Sequence, residues 1–141
     1  MKLRAVPINP EELGAPSGYS NGMLAPAGGR LLFVAGQIGW DRERRLAQLF
    51  AEQFEQALSN VATVVRAAGG AVEDLCRLTV YVVDKREYLA DLRAVGQAYR
   101  RVMGRHYPAM ALLEVRALVE DAARVEIEGT AVLPPDPQSE R

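Results

Sequence analysis

Leu75-Cys76-Arg77-Leu78-Thr79-Val80-Tyr81-Val82-Val83-Asp84-Lys85-Arg86-Glu87 is the stretch whose reading decides the fold. Up to Val83 apolar side chains alternate with polar ones: Cys76, Leu78, Val80 and Val82 on one face, Arg77, Thr79 and Tyr81 on the other. That period of two belongs to a half-buried strand. At Asp84 the period changes. Asp84 is a helix-capping type, Glu87 stands three residues on, and Tyr88, Leu89, Leu92, Val95, Tyr99 and Val102 follow as a helical stripe that stops at Gly104. A strand feeding directly into a helix implies an α and β domain.

Upstream, Phe54, Ala57, Leu58, Val61, Val64, Val65 and Ala68 recur at helical spacing from Phe50, and Gly69-Gly70 suits the left-handed closure of that helix. Before it, Tyr19 to Ala25, the turn Pro26-Ala27-Gly28-Gly29, and Arg30 to Gly39 read as an opening hairpin. Residues up to Gly18 read as an extended, proline-punctuated lead-in. Downstream, Ala109 to Leu118 and Arg124 to Leu133 read as two further strands. The predicted order is ββαβαββ, an α+β sandwich with both helices on one face of the sheet. Residues 1–133 form one domain in this reading, and the proline-rich residues 134–141 a frayed tail.

Composition narrows the function classes. A chain of 141 residues with 49% hydrophobic and 25% charged residues has the make-up of an ordinary folded domain. Seventeen basic and 18 acidic side chains leave a net charge of -1, which supplies no field to gather a phosphate backbone, so nucleic acid is not expected as a partner. A single cysteine and a single histidine give too few soft ligands for a zinc site and no internal disulfide, which fits a reducing cytoplasm. No signal-peptide core and no membrane-spanning run are readable, and no P-loop or G-x-G-x-x-G pattern cradles a nucleotide cofactor.

If Cys76, Leu78, Val80, Ala111, Leu113, Val115, Val125 and Ile127 face the helices, the opposite face collects Arg77, Thr79, Tyr81, Met110, Leu112, Glu114, Arg116, Arg124, Glu126 and Glu128. Large apolar groups mixed with both charges suit a subunit interface with polar crevices, or else a solvated sheet with cross-strand ion pairs. Glu126 and Glu128 share that face. Cross-strand pairing with Arg116 or Arg77 is the expected use of Glu128, while Glu126 stays open between pairing and acid–base work. Cys76 reads as a buried, inert thiol, His106 as a solvated or capping residue, and Trp40 as a packing group. Gly36 and Gly39 interrupt a strand and mark either a bulge or a close approach to the backbone.

These residues resemble the Rid family, also called YjgF. The likeness runs over about residues 16 to 133 and is carried by Gly18-Tyr19, Leu32-Phe33-Val34-Ala35-Gly36-Gln37-Ile38, Gln56-Ala57-Leu58-Ser59-Asn60-Val61, Thr79-Val80-Tyr81-Val82-Val83-Asp84, Tyr107-Pro108-Ala109 and Val125-Glu126-Ile127-Glu128-Gly129 in the family's order. The resemblance implies a chorismate-mutase-like fold and a homotrimer with small-molecule clefts between subunits. It also implies hydrolytic deamination of reactive enamines and imines in the RidA branch, without cofactor or metal. It assigns catalytic roles to Glu126 and Tyr19, and substrate binding to the Gly36 backbone and to positions 110 and 112. At position 110 the deaminase branch carries an arginine that grips a carboxylate. Here the residue is Met110, which offers no charge and no donor, and Leu112 replaces a small polar or sulfur-bearing residue. The expected cleft is therefore more apolar, suited to a neutral or hydrophobic ligand, with Arg77, Arg105 or Arg116 as possible replacement cations. The alternatives are a non-catalytic binding or chaperone-like trimer and, more remotely, an endoribonuclease, which the near-neutral charge supports poorly.

Overall fold

The computed structural model describes residues 4–136. The expected frayed tail falls mostly outside them; within them, Arg30 Nε donates to the Pro134 carbonyl at 3.1 Å. The elements are β1 (Val6–Ile8), β2 (Gly22–Leu24), β3 (Arg30–Ile38), α1 (Phe50–Ala67), β4 (Leu75–Val82), α2 (Lys85–Ala90), α3 (Leu92–Met103), β5 (Ala109–Glu114) and β6 (Val125–Leu133). A four-stranded mixed sheet runs β3-β6-β4-β5, with β4 and β5 parallel and the other pairs antiparallel. The helices cover one face. Phe54, Ala57, Leu58, Val61 and Val65 of α1 and Val95, Ala98 and Tyr99 of α3 bury against Leu75, Leu78, Val80, Val82, Val125 and Ile127. This is the α+β sandwich expected from the periodicities.

Several local expectations are corrected. The opening hairpin does not form: β2 pairs instead with β1, inside the stretch read as a lead-in, and β3 pairs with β6. After the turn closed by Gly29 N donating to the Pro26 carbonyl, the chain is pressed onto β6. A Cβ on Gly29 would stand 3.1 Å from the Leu133 carbonyl. The nine residues of β3 find a full-length partner there, whereas β1 and β2 have three residues each.

The second helical run is broken at Asp91, whose φ of -137° and ψ of 47° end α2 and start α3. Asp84 does cap α2, accepting from Arg86 N at 3.0 Å, but Glu87 turns to Arg124 rather than back to the cap. Arg124, expected on the open sheet face, is thereby tied to the helix layer.

In β4 the register shifts between Leu75 and Arg77, so Cys76 is a bulge residue and Leu75 takes the core position instead. In β5 the faces are inverted. Met110 pairs with Leu78 and Leu112 with Val80, both pack toward the helices, and Ala111 and Leu113 share the face of Thr79 and Tyr81. The run Ala109 to Leu113 is apolar on both sides, so its own alternation carries no information about which side is core. The strand also stops at Glu114, short of the expected Leu118.

The uncovered face therefore carries Phe33 at 74% exposure and Leu31 at 63%, beside Arg77, Thr79, Tyr81, Glu126 and Glu128. Among the described residues no helix is long and apolar enough to cross a membrane.

The burial pattern predicts unequal costs for two leucines. Leu58→Ala, at 1% exposure, is expected to destabilise the fold by about 2–5 kcal/mol, and Leu89→Ala, at 56%, by under about 1 kcal/mol. Urea denaturation followed by circular dichroism measures both; equal midpoints for the two variants would contradict this packing.

Candidate functional site

The first cluster lies at the β3 edge. Between Val34 and Gln37 the register with β6 shifts, so Ala35 and Gly36 bulge out of the ladder. The bulge brings the Gly36 backbone against the side chain of Glu126: a Cβ on Gly36 would lie 2.9 Å from Glu126 Cδ. Both meanings of a strand glycine thus hold at Gly36. At Gly39 the close approach is to α1, where a Cβ would stand 2.7 Å from the Gln53 carbonyl oxygen.

Glu126 projects from β6 to the uncovered face, half-buried, and makes no hydrogen bond or ion pair among the described residues. It opens on a cavity of about 360 Å³ lined also by Gly36, Gln37, Ile38, Trp40, Asn60 and Val119. Asn60 Nδ2 fixes the cavity's backbone wall by donating to the carbonyls of Ile38 (3.2 Å) and Trp40 (2.9 Å). Trp40 is stacked under the Arg44 guanidinium, 5.3 Å from the ring centroid.

Gln53 holds the surrounding loops, a role the helical periodicity conceals. It is 2% exposed, its Nε2 donates to the carbonyls of Ala47 and Ala122, and its Oε1 accepts from Arg124 N at 2.9 Å. A buried glutamine on an otherwise apolar helix face was the available signal.

The second cluster lies at the opposite edge, beside β5. Ser20 N donates to the Pro108 carbonyl at 3.1 Å, its Oγ donates to the Tyr107 carbonyl at 2.5 Å, and Ser20 bridges Ala109 in parallel. These bonds pin the partly exposed Tyr19 against the start of β5. On the helix side of β5, Met110 and Leu112 join Tyr88, Tyr99 and Tyr107 in a cavity of about 240 Å³ between the sheet and α3. Tyr99 and Tyr107 stack with centroids 5.1 Å apart, and Tyr99 OH donates to the His106 carbonyl at 2.6 Å.

Within one chain these clusters are separate. Gly36 lies on β3, Tyr19 beyond β5, with β6 and β4 between, so four strand spacings of about 4.8 Å put them roughly 19 Å apart. Met110 and Leu112 point to the helix side, Glu126 to the other. The sequence reading that placed Met110 and Leu112 on the face of Glu126 is corrected by the β5 register.

The remaining candidates resolve individually. Glu128 accepts a hydrogen bond from Tyr81 OH at 2.5 Å and forms no ion pair with Arg77 or Arg116. His106 is half-buried rather than freely solvated: its Nε2 lies 2.7 Å from the Leu75 carbonyl, a contact an N–H makes as donor, so Nε2 donates. Cys76 is half-buried at its bulge, and burial pushes its thiol above the ordinary range, which leaves it a poor nucleophile as expected. Arg77 lies by Phe33 and Glu128, and Arg116 by Asp84 and Glu114. Neither they nor Arg105 line the cavity of Met110. Arg100 does.

Two phenols are held protonated. The hydrogen bond to Glu128 raises Tyr81, and burial raises Tyr99. Because the folded values lie above the unfolded ones, each contributes stability that is complete below the unfolded pKa and is lost as pH rises through the folded one. Absorbance at 295 nm during alkaline titration is expected to show Tyr81 and Tyr99, of the five tyrosines, ionising later than a free phenol near 10. Substituting each by Phe removes its late component; five equal titrations with native circular dichroism would contradict these contacts.

Comparison with known proteins accords with this geometry. The family model described as Endoribonuclease L-PSP matches residues 10–133. A human 2-iminobutanoate/2-iminopropanoate deaminase is 30% identical over 135 residues, which cover 94% of this chain and 93% of the relative. The Rid-family protein YyfB from Yersinia pestis superposes with a TM-score of 0.81 at 34% identity, covering 93% of this chain and all of that one. TdcF from E. coli, solved with bound serine, gives 0.64 at 28% identity, covering 94% and 98%. The fold, the ordered motifs and these relatives together establish that the chain belongs to the Rid (YjgF) family.

Proposed function

We propose that this protein hydrolyses reactive imines, or their enamine tautomers, in clefts that form only where copies of the chain meet as a homotrimer in the cytoplasm. The observation that carries this reading is the free, half-buried carboxylate of Glu126 seated against the Gly36 bulge at one sheet edge, while Tyr19 and the Met110 cavity sit at the other. A head-to-tail arrangement, β3 edge to β5 edge, is heterologous and closes into a ring. It brings a neighbour's Glu126 toward Tyr19 and Met110, and covers Leu31 and Phe33, whose exposure is costly for a lone chain. The relative named 2-iminobutanoate/2-iminopropanoate deaminase supplies the class of reaction.

In this mechanism Glu126 accepts a proton from a water molecule as the water oxygen bonds to the C=N carbon. The π electrons pass to nitrogen, which takes up a proton. As the carbinolamine C–N bond breaks, Glu126 returns its proton to the departing nitrogen and the hydroxyl proton goes to solvent, matching the one nitrogen took up from solvent, so that ammonia and a carbonyl compound are released. Water is the only co-reactant. Tyr19 OH orders the water or the substrate, and the Gly36 amide region borders the reacting group.

Met110 favours a second reading in one respect. A thioether where a cation would grip a carboxylate weakens capture of compact imino acids, so a trimer that binds small molecules without turnover is the rival.

Imino acids generated by an amino-acid oxidase and trapped with semicarbazide separate the two. Protein is expected to speed imine loss, and Glu126→Gln to reduce that rate by about 10²–10⁴ without loss of fold. Met110→Arg is expected to raise the rate on small imino acids. Wild-type rates equal to the protein-free rate across small and bulky imines would contradict catalysis, and ligand-induced thermal stabilisation in the same samples would support the binding reading.

A further inference from the structure

We infer that Arg100 is the carboxylate-binding residue of the cavity between α3 and β5, and that this cavity takes a monocarboxylate with a sizeable apolar or aromatic body. The inference rests on the ligand-cleft reading above and specifies the ligand.

The cavity walls are Phe54, Leu58, Val95, Tyr99, Met110 and Leu112 among other largely apolar groups, and Arg100 is its only charged lining residue. Arg100 is exposed at the cavity's rim. Its guanidinium lies back over Gly96, one turn earlier on α3, so that a Cβ there would meet Nη1 at 3.4 Å and Nη2 at 4.0 Å. Glycine inside a helix costs about 1 kcal/mol relative to alanine. The guanidinium thus rests at ordinary van der Waals distance from this turn of α3, whose bare backbone leaves it uncrowded.

Arg100 makes no ion pair or side-chain hydrogen bond among the described residues, so its donors are free for a ligand. The next residue behaves differently: Arg101 is engaged by Glu55 at 2.6 Å and lines another groove. A guanidinium at the rim of an apolar cavity selects an anion whose remainder is apolar, and its flat fork matches a carboxylate. At about 240 Å³ the cavity suits a small ligand, and its β5 wall of Met110 and Leu112 offers the ligand body no hydrogen-bond partner. Where the site acts on imines, the substrates are therefore 2-imino acids with bulky apolar side chains.

Isothermal titration of the full-length protein with 3-phenylpropanoate and its neutral isostere 3-phenylpropanamide tests this. The acid is expected to bind at least about tenfold more tightly than the amide, and Arg100→Gln to weaken the acid about 10- to 100-fold while leaving the amide unchanged. Arg101→Gln is expected to change neither. Equal affinity of acid and amide, an unchanged preference in Arg100→Gln, or no binding of either probe at millimolar concentration overturns the inference. Binding is read without turnover, so absence of imine hydrolysis leaves the assignment of Arg100 standing, whereas hydrolysis of bulky imino acids unaffected by Arg100→Gln removes it and leaves the reaction intact.

Discussion

A sheet packed with helices on one face only must do something with the other. In this chain that face carries Phe33 and Leu31 in the open, next to a hydrogen-bonded Tyr81–Glu128 pair and a Glu126 without a partner among the described residues, and the sheet ends in two edge strands, β3 and β5. Neither edge is blunted by proline or by a covering helix, and only the start of β5 is capped, through Ser20. Burial of aromatic surface of this kind is worth on the order of 1.5–3 kcal/mol per large side chain, enough to favour association when repeated around a closed ring. In the proposed function the same association would supply the missing half of the site, because Glu126 and Tyr19 are held at opposite ends of the strand order.

How much of this was legible follows from where the information lies. The helix Phe50–Ala67 and the strand Leu75–Val82 declare themselves through amphipathic periodicity, since one side of each is buried and the other is not. Strand β5 does not, because Ala109 to Leu113 is apolar on both faces. Its register is set by parallel pairing with β4, a long-range fact absent from its own residues. The expected hairpin fails for a related reason: adjacency in sequence favoured β2 with β3, but the longer ladder with β6 wins.

The candidate residues were legible in the sequence by their chemical type, but their placement was less so. Gly36 announced a bulge, and the bulge is there, with Glu126 against it. Glu128 was expected to pair with an arginine and instead accepts from Tyr81, because the antiparallel β4–β6 register puts Glu126 opposite Tyr81 and Glu128 one pair along. Arg100 escaped notice because, read on its own, it is one of several solvated cations on the polar side of α3. Its place on the rim of a largely apolar cavity is visible only once α3 is packed beside β5.

The claim on which the account turns is that Tyr19 and Glu126 act together from different copies of the chain. Subunit mixing tests it most directly: Glu126→Gln and Tyr19→Ala proteins, each impaired alone, are unfolded together, refolded and assayed for imine loss. If one copy supplies Tyr19 and its neighbour Glu126, random assembly restores about one quarter of the sites and activity rises above that of either variant. Activity of the mixture equal to the average of the two variants would contradict a shared site.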